Sequence, residues 1–263
     1  DQPQVHQPML ARLNQCVELG DAGTMGREVL AQAVQQRLDQ SAAAEIVEQF
    51  LRCGAAAKKN DIRLVFHPDQ FVVLNSPRPE VVAGAMKDLM YHAELCDWLG
   101  ADVINIHGGG AYGDKQTALA LLERNLDLLP DNVRRRLTLE NDDKVYTPQD
   151  LLPICRRSGI PLVYDVHHHR CLPDDLSVRS ATDGARSTWD REPLFHVSSP
   201  LAGWHGPQPH RHHDYIDVRD VPDCWRSLAL TVEVEAKAKE LAVLKLRDAL
   251  RLTKLEPRGL VKR

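Results

Sequence analysis

Six short apolar runs in this chain end on a histidine or a carboxylate. The residues at these ends are His67, His107, Glu140, Asp165 with His168, His196 and Glu235. Consecutive ends lie about 25 to 40 residues apart, which is the spacing of parallel strands joined by crossover helices. Because the carboxyl ends of parallel strands meet at one rim of a sheet, we expect these side chains to converge. Converging imidazole and carboxylate groups predict a metal centre.

Mixed histidine and carboxylate ligands without cysteine suit Zn²⁺, Mn²⁺ or Fe²⁺. About eight candidate ligands are present, so we expect more than one ion. Two or three ions close together activate water and stabilise the attacking and leaving oxygens in phosphodiester cleavage. A sugar isomerase, the alternative use of such a rim, relies more on carboxylates and needs a base or a lysine. The histidine-rich rim therefore favours phosphodiester hydrolysis.

Each candidate ligand also has a purely structural interpretation. A lone histidine beside an apolar strand is more often a hydrogen-bonded core residue, and His92 on a helix face is interpreted in that way. A carboxylate at the end of an apolar strand is costly to bury without a cation or a hydrogen-bond partner. In the structural interpretation of Glu235, its carboxylate pairs with Lys237 instead of a cation. In the run His167–His169, spacing alone does not decide between a surface patch and a ligand.

The segments between the strand ends have helical patterns. Helices are predicted over Pro79–Gly100, over Lys115–Leu129, from Thr147 and Pro148 to near Gly159, and over Ala236–Leu252. Strands alternate with helices in a chain of 263 residues. This pattern predicts an α/β fold of the TIM-type (β/α) barrel class, as a single domain over residues 1–263.

The first 60 residues fit the barrel pattern least. Met25–Ala57 predicts one or two helices, and no convincing strand precedes Ile62. A barrel of this class has about eight strands, whereas six are clear in this sequence. Either early strands carry weak patterns or part of the natural N-terminus is absent from the chain. Leu172–Arg191 is predicted as a helix or long loop, and residues 256–263 as a frayed tail.

Composition limits the class of protein. A net charge of -4 gives no global sign of a polyanion partner, and a hydrophobic fraction of 43% supports a substantial core. Six cysteines lie scattered without a C-x-x-C pair, and Cys96 and Cys155 sit in apolar helical patterns, which indicates free thiols in a reducing compartment. No run reaches the ~18 apolar residues of a membrane span. We expect a soluble intracellular protein. It is expected in the cytoplasm, at the prokaryotic nucleoid, or in a nucleus.

Five motifs occur together and in order. They are HPDQF at His67–Phe71, IHGGGAYGDK at Ile106–Lys115, LENDD at Leu139–Asp143, YDVHHH at Tyr164–His169 and EVEAKAKE at Glu233–Glu240. With these motifs, the chain from roughly residue 60 to residue 245 resembles the UV damage endonucleases, a family related to apurinic endonucleases of the same barrel class. The resemblance implies a metal-dependent DNA repair endonuclease. Such an enzyme cuts the phosphodiester bond on the 5′ side of pyrimidine dimers in duplex DNA.

The resemblance also assigns metal ligands. The implied ligands are His67, His107, Glu140, Asp165, His168, His196, His212 and Glu235. Neighbouring His213 is the alternative to His212. The implied catalytic residues are His107, Glu140, His196 and Glu235. Two or three divalent ions are expected, with Mn²⁺ ahead of Zn²⁺.

Residues for DNA contact follow from the same motifs. Gln70 and Phe71 match a pair that enters the duplex at the lesion, where it fills the gap left by flipped bases. Core packing is the structural alternative for Phe71. Lys115, Lys144 and Lys237 are candidates for phosphate contacts, with solvated surface charge as the alternative. The expected partner is duplex DNA that contains UV lesions. We expect the protein to act as a monomer and not to bind a membrane.

The chain departs from the family pattern in two ways. Neither an early strand with tyrosine and asparagine nor an Arg-x-Ser-Ser strand with a further histidine is found. Leu194 stands where some members carry a modified lysine. Two other functions are therefore kept: a metal-dependent sugar isomerase of the xylose-isomerase-like barrel class, and a noncatalytic metal-binding or DNA-binding barrel.

Overall fold

The computed structural model describes residues 16–20 and 40–255. Within this part of the chain, seven parallel strands form one sheet in sequential order. The strands are β1 (Cys16–Gly20), β2 (Arg63–His67), β3 (Val103–His107), β4 (Leu137–Glu140), β5 (Leu162–Asp165), β6 (Leu194–Val197) and β7 (Thr231–Val234). The first and last strands lie beside each other. The sheet therefore curls round, and the predicted TIM-type (β/α) barrel fold is confirmed.

Helices connect the strands on the outside of this barrel. They are α1 (Gln40–Lys59), α2 (Pro79–Leu99), α3 (Lys115–Leu126), α4 (Asp131–Arg134), α5 (Pro148–Ser158), α6 (Val166–Cys171), α7 (Val178–Arg186) and α8 (Glu240–Leu255). Short 3-10 turns at Val218–Asp220 and Asp223–Trp225 precede β7. Among the helices of the described residues, none has both the length and the apolar character needed to cross a bilayer.

The first of the two alternatives for the N-terminal region is supported, because a strand with a weak sequence pattern precedes Ile62. Strand β1 pairs in parallel with the whole of β2, from Cys16 beside Arg63 to Gly20 beside His67. Its sequence CVELG is short and interrupted by a glutamate, so a pattern of local hydrophobicity does not reveal it. The pairing with β2 is a long-range contact, and this contact defines the strand.

Local signals predicted the helix ends well where caps are present. Helix α2 starts with proline and ends at Gly100, whose φ of 73° is left-handed. Helix α5 begins with a capping box, in which the side chains of Thr147 and Asp150 each accept a backbone N–H from the other residue. It ends at Gly159, as predicted.

Two predicted helices have different bounds in the structure. Helix α3 ends at Leu126 rather than Leu129, and α4 follows as a separate turn. Helix α8 begins four residues later than the predicted Ala236, because the intervening backbone bonds to a neighbouring loop. The polar segment Leu172–Arg191, predicted as a helix or a long loop, contains helix α7, which Ser177 caps through its side chain. Residues 25–39 of the predicted N-terminal helical region, and the predicted tail, lie outside the described residues. The single domain over residues 1–263 stays a prediction.

Side chains alternate between the two faces of each strand, and this places the rim residues. Outward residues such as Phe66, Ile106 and Tyr164 are buried in the main core against the helices. Inward residues Val65, Val103, Val163 and Leu194 form a second, smaller apolar cluster inside the barrel. Because His67 follows Val65 by two residues, it faces the same interior. The interior therefore has an apolar layer with a polar layer above it.

A charged cluster lies at the opposite end of the barrel, near the amino ends of the strands. The guanidinium of Arg63 donates two hydrogen bonds to the Asp102 carboxylate, at 3.0 and 2.7 Å, and a third to the Glu192 carbonyl at 3.0 Å. The indole of Trp189 lies 5.8 Å from the Arg63 guanidinium and 5.2 Å from that of Arg191. This cluster is therefore separate from the candidate ligands, which lie at the carboxyl ends of the strands.

Two predicted free thiols are buried, and their reactivity provides a test of the core. Burial raises the pKa of Cys96 and of Cys155 to about 12. Since the thiolate is the reactive form, neither residue should be alkylated in the folded protein near pH 8. Cys53 on α1 is exposed and should react readily. Mass spectrometry after brief iodoacetamide treatment measures the labelling of all three cysteines, and a denatured sample is the control. Fast labelling of Cys155 in the folded protein would contradict its burial in the core.

Candidate metal centre

The carboxyl ends of five strands bring the predicted ligands together. His67, His107, Glu140 and Asp165 are the last residues of β2, β3, β4 and β5, and His196 lies one residue before the end of β6. The register places His107 beside Glu140, and Asp165 beside His196. Three groups of side chains have ligand atoms within 4.8 Å of one another: His67, His107 and Glu140; Glu140, Asp165, His196 and Glu235; and His168, His212 and Glu235. All eight predicted ligands are in these groups.

Glu140 links the first two of these groups and has no exposed surface. Its Oε2 atom lies 3.0 Å from Nε2 of His67, and it accepts a hydrogen bond of 2.5 Å from the Asn105 side chain. Its Oε1 atom lies 3.3 Å from the Nδ1 atoms of His168 and His196. One carboxylate is therefore shared by three imidazoles and oriented by an amide.

The turn after β5 decides which histidine of the run His167–His169 enters the centre. Asp165 caps helix α6, and its Oδ1 atom accepts the backbone N–H of His168 at 2.8 Å. The Asn141 side chain pairs with the Asp165 backbone in both directions, at 2.9 and 3.0 Å. Nδ1 of His168 donates to the Asn141 carbonyl at 3.0 Å. This hydrogen bond leaves Nε2 of His168 with the lone pair that a metal ligand needs.

Strand β7 contributes two carboxylates, of which only one was predicted. Nδ1 of His196 lies 3.0 Å from Glu235 Oε1, and its Nε2 lies 3.4 Å from Glu233 Oε2. Glu233 is buried. It was missed although it precedes Glu235 by two residues and so shares its inward face. A carboxylate behind a ligand histidine holds the ring and raises its basicity.

A long loop brings His212 to Glu235. Nδ1 of His212 lies 3.8 Å from Glu235 Oε2. The loop is held by a bridge between Pro200 and His212, and by the backbone N–H groups of Lys237 and Ala238, which bond to the carbonyls that follow His212. These are the bonds that delay the start of α8.

The alternative residue, His213, has a different environment. Its Nδ1 atom accepts the backbone N–H of Tyr215 at 2.9 Å. Among the described residues, it belongs to none of the candidate groups.

Unpaired buried atoms show that these residues fit a cation. The side-chain atoms without a hydrogen-bond partner among the described residues include His107 Nδ1, Glu140 Oε1, Asp165 Oδ2, both ring nitrogens of His196, and Glu235 Oε2. The ring nitrogens of His196 lie close to carboxylate oxygens, but not with hydrogen-bond geometry. Buried polar atoms are normally paired. A cluster of unpaired nitrogen and oxygen donors suits divalent ions.

The charges of the centre depend strongly on one another. Burial acts to raise the pKa of Glu140, but His196, His107 and His168 outweigh it and hold that pKa well below its usual value. Burial acts to lower the pKa of His196, but Glu140 and Glu235 raise it well above its usual value. The pKa of Glu235 is lowered to about 2 in the same way, because the attraction of His196 exceeds the effect of burial. Glu140 and His196 therefore stabilise each other's charged forms.

Comparison with known proteins identifies the family. The family described as UV-endonuclease UvdE matches residues 31–259. The chain belongs to the UV-endonuclease UvdE family. A UV DNA damage endonuclease of Bacillus velezensis is 40% identical over 215 residues, which cover 77% of this chain and 66% of the relative. The chain thus spans about two thirds of the length of that curated relative. The suspected family is confirmed.

Two solved structures extend the comparison to the fold. The crystal structure of SacUVDE has a TM-score of 0.73 and 33% identity, covering 80% of this chain and 72% of that chain. Endonuclease IV from Thermus thermophilus has a TM-score of 0.61 at 16% identity, covering 90% of this chain and 98% of that chain. The second likeness, at 16% identity, supports only the fold.

The residues predicted to enter the lesion lie beside the candidate metal centre. Gln70 and Phe71 are exposed in a turn after β2, where Asp69 Oδ1 accepts the Phe71 N–H at 2.9 Å. The exposed fraction of Phe71 is 76%, so core packing is ruled out for it. Both residues line a cavity of about 700 Å³ that also includes His107 and His168. The predicted lesion pair and the candidate ligands therefore share one cavity.

The predicted phosphate-contacting lysines have different surroundings. Lys144 lines the same cavity. Nζ of Lys115 pairs with Asp150 Oδ2 at 2.5 Å and lies 5.7 Å from the Tyr146 ring, so it joins α3 to α5. Lys237 is exposed and forms no ion pair with Glu235, whose partners in the described chain are His196 and His212. The alternative pairing of Lys237 with Glu235 is therefore wrong.

Three glycines follow His107 and bring the backbone close to the centre. A Cβ atom on Gly108 would lie 2.7 Å from the Tyr146 ring, and one on Gly109 would lie 2.1 Å from Asn75 Oδ1. Gly109 also has a left-handed φ of 88°. The turn at this run therefore requires glycine for both space and backbone conformation.

The substitution Gly109→Ala should lower the free energy of unfolding by at least about 2 kcal/mol, because the left-handed backbone and the contact with Asn75 both oppose a side chain. Gly84→Ala is the matched control. Gly84 is exposed inside α2 with open space around it, so alanine should raise stability by up to about 1 kcal/mol. Urea denaturation of both variants measures the difference, and equal stability of the two would contradict the tight loop.

Proposed function

We propose that this chain is a metal-dependent DNA repair endonuclease that hydrolyses the phosphodiester bond on the 5′ side of UV photoproducts in duplex DNA. The observation that carries the proposal is the position of eight candidate ligands beside the cavity of Gln70 and Phe71. Membership of the UV-endonuclease UvdE family supports the same activity. Since one fold hosts many chemistries, the proposal depends on this site and not on the barrel.

The arrangement of the groups supports two or three divalent ions, with Mn²⁺ as the first candidate and Zn²⁺ as the second. Glu140 belongs to the first and second groups, and Glu235 belongs to the second and third. The two carboxylates therefore connect the three potential metal sites to one another. Divalent ions in such a centre supply Lewis acidity, which polarises phosphoryl oxygens and lowers the pKa of water.

The protein side chains keep this centre in place. Asn105 orients Glu140, and Asn141 orients both Asp165 and His168 through the hydrogen bonds described above. Glu233 supports His196 from the side opposite Glu140. Such partners keep ligands oriented before substrate arrives. His107, Glu140, His196 and Glu235 are proposed to act as catalytic residues through their place in this centre.

The cavity beside the centre is suited to damaged duplex DNA. Photoproducts stack poorly, so a duplex opens at them at lower cost than elsewhere. Exposed Phe71 and Gln70 project from a turn fixed by Asp69, and a ring with an amide can fill the gap in the stack. Lys144 on the cavity, and exposed Lys237, are available for phosphate contacts. Lys115 is a weaker candidate because Asp150 already pairs with it.

A nicking assay tests the activity. The protein with Mn²⁺ should nick UV-irradiated supercoiled plasmid and spare intact plasmid, and a labelled duplex with one dimer should be cut on the 5′ side. Glu140→Gln should reduce nicking by more than about a hundredfold, because loss of even a partner behind the ligands costs up to about that factor. Glu94→Gln, on the exposed face of α2, is the control and should nick normally.

The outcomes separate the three functions. Turnover of ketose and aldose sugars without nicking would show the isomerase. Lesion binding without nicking or sugar turnover would show a noncatalytic barrel. Equal nicking of irradiated and intact plasmid would refute lesion specificity.

The pH dependence of metal affinity tests the ligand set. Interactions with Asp165 and Glu140 overcome burial and raise the pKa of His168 well above 6.5, and Glu140 and Glu235 do the same for His196. At pH 7 the metal-free protein therefore holds protons that these ligands must lose. Mn²⁺ binding should release about one to two protons, and affinity should rise as the pH rises towards the two raised pKa values.

Isothermal titration calorimetry in two buffers of different ionisation enthalpy measures the released protons. His168→Gln should release fewer protons than the unsubstituted protein. His210→Gln is the control, since His210 belongs to none of the candidate groups of the described residues. A heat of binding that is the same in both buffers would contradict the assignment of His168 and His196.

A further inference from the structure

Tyr112 is an aromatic side chain at the candidate site that has no assigned role. Among the described residues, the large exposed hydrophobic side chains include two aromatic rings, Phe71 and Tyr112, with exposed fractions of 76% and 51%. Both rings line the cavity that reaches His107 and His168. A single exposed ring is common on protein surfaces, but aromatic rings that lie together in a cavity with polar groups are typical of a binding site. Their presence in one cavity suggests a shared ligand with a flat apolar face.

The backbone at Tyr112 is held in an uncommon conformation. Its φ of 49° is left-handed, a region that residues with a side chain rarely adopt and that asparagine tolerates best. A Cβ atom on Gly110 would lie 3.1 Å from the end of the Tyr112 ring, so the ring rests against a glycine. Backbone strain that persists beside a cavity is typical of functional positions.

Buried hydrogen bonds fix the loop that presents this ring. The Gly110 carbonyl accepts from the Asn75 side chain at 2.7 Å and from the Tyr146 hydroxyl at 2.9 Å. Asn75 and Tyr146 are both fully buried. Since the loop begins at His107, these bonds hold Tyr112 at a constant position relative to the candidate metal ligands.

The size and charge of the cavity limit its ligand. Its volume of about 700 Å³ lies within the range of about 300–1,000 Å³ that is usual for small-molecule sites. Arg78, Lys144, Asp142 and Asp143 also line it. The Asp142 carboxylate is already engaged, because it accepts the backbone N–H groups of Lys144 and Tyr146 at 2.7 and 3.0 Å. An uncharged flat ring attached to a phosphate chain matches this mixture of aromatic rings and charges.

We propose that Tyr112 stacks against a nucleobase displaced from the duplex at the lesion, next to the gap that Gln70 and Phe71 enter. The proposal rests on the proposed function, because it concerns the DNA of that same site. Stacking on an aromatic ring accepts any base, since every base has a flat face. Tyr112 would therefore favour opened DNA over intact DNA without reading a sequence.

The substitution Tyr112→Asn tests the proposal, because asparagine suits the left-handed backbone but lacks the ring. Binding is measured in EDTA, by fluorescence anisotropy, to a duplex with one pyrimidine dimer and to the same duplex without it. Tyr112→Asn should weaken binding to the damaged duplex about tenfold and leave its thermal midpoint at or above that of the unsubstituted protein. Tyr112→Phe, which keeps the ring, should recover most of the lost affinity.

Two controls separate stacking from other effects. Met90→Ala on α2 removes an apolar side chain with the same exposed fraction, 51%, from outside the cavity, and should bind as the unsubstituted protein does. The base analogue 2-aminopurine opposite the dimer reports stacking directly. At saturating protein, Tyr112→Asn should show weaker quenching of its fluorescence.

Each outcome has one meaning. Unchanged affinity and quenching in Tyr112→Asn would overturn the stacking role, as would an equal loss of affinity for damaged and undamaged DNA. A lower thermal midpoint together with normal quenching would assign Tyr112 to the fold. If the unsubstituted protein shows no preference for the damaged duplex, the proposed function itself fails, and the role of Tyr112 fails with it.

Discussion

The buried carboxylate of Glu140 is the constraint on which the rest of the site depends. Transfer of such a charge from water to a protein interior costs several kcal/mol, and Glu140 has no exposed surface. Its charge is accommodated because His67, His168 and His196 lie within 3.0–3.3 Å of it. Each of these imidazoles comes from a different strand end or turn. The ends of β2, β5 and β6 must therefore be in place together to stabilise the buried charge of Glu140.

The barrel satisfies this requirement through layers of side chains. Below the polar rim, Val65, Val103, Val163 and Leu194 fill the interior and exclude water from the base of the centre. Leu194 belongs to this apolar layer, two residues before His196. A lysine at that position would place its long side chain in the interior close to the carboxylates, whereas leucine contributes only packing. Among the described residues, the candidate ligands at this rim are histidine and carboxylate groups.

A rigid framework connects the centre to the surface cavity. The loop after β3 is fixed by Asn75 and Tyr146, and the turn after β2 is fixed by Asp69. Both segments begin at a candidate ligand, His107 and His67 respectively. Exposed side chains on these segments, such as Phe71, are thus placed by short covalent connections to the centre. Under the proposed function, this arrangement keeps Phe71 at a constant position relative to the candidate metal ligands.

Much of this protein was determined by local features of the sequence. Six strand ends, the capping box of Thr147, and the helix ends at Gly100 and Gly159 follow from side-chain periodicity and from contacts within a few residues. The inward direction of Glu140 follows from the same periodicity.

Only the tertiary structure decided the remaining features. Strand β1 exists through its pairing with β2, and His212 rather than His213 reaches Glu235 because distant backbone segments hold its loop. His168 rather than His167 enters the centre because Asp165 and Asn141 start a helix there. These choices depend on partners far apart in the chain. A pattern of neighbouring residues does not show which distant segments will pair, because these contacts form only when the chain folds.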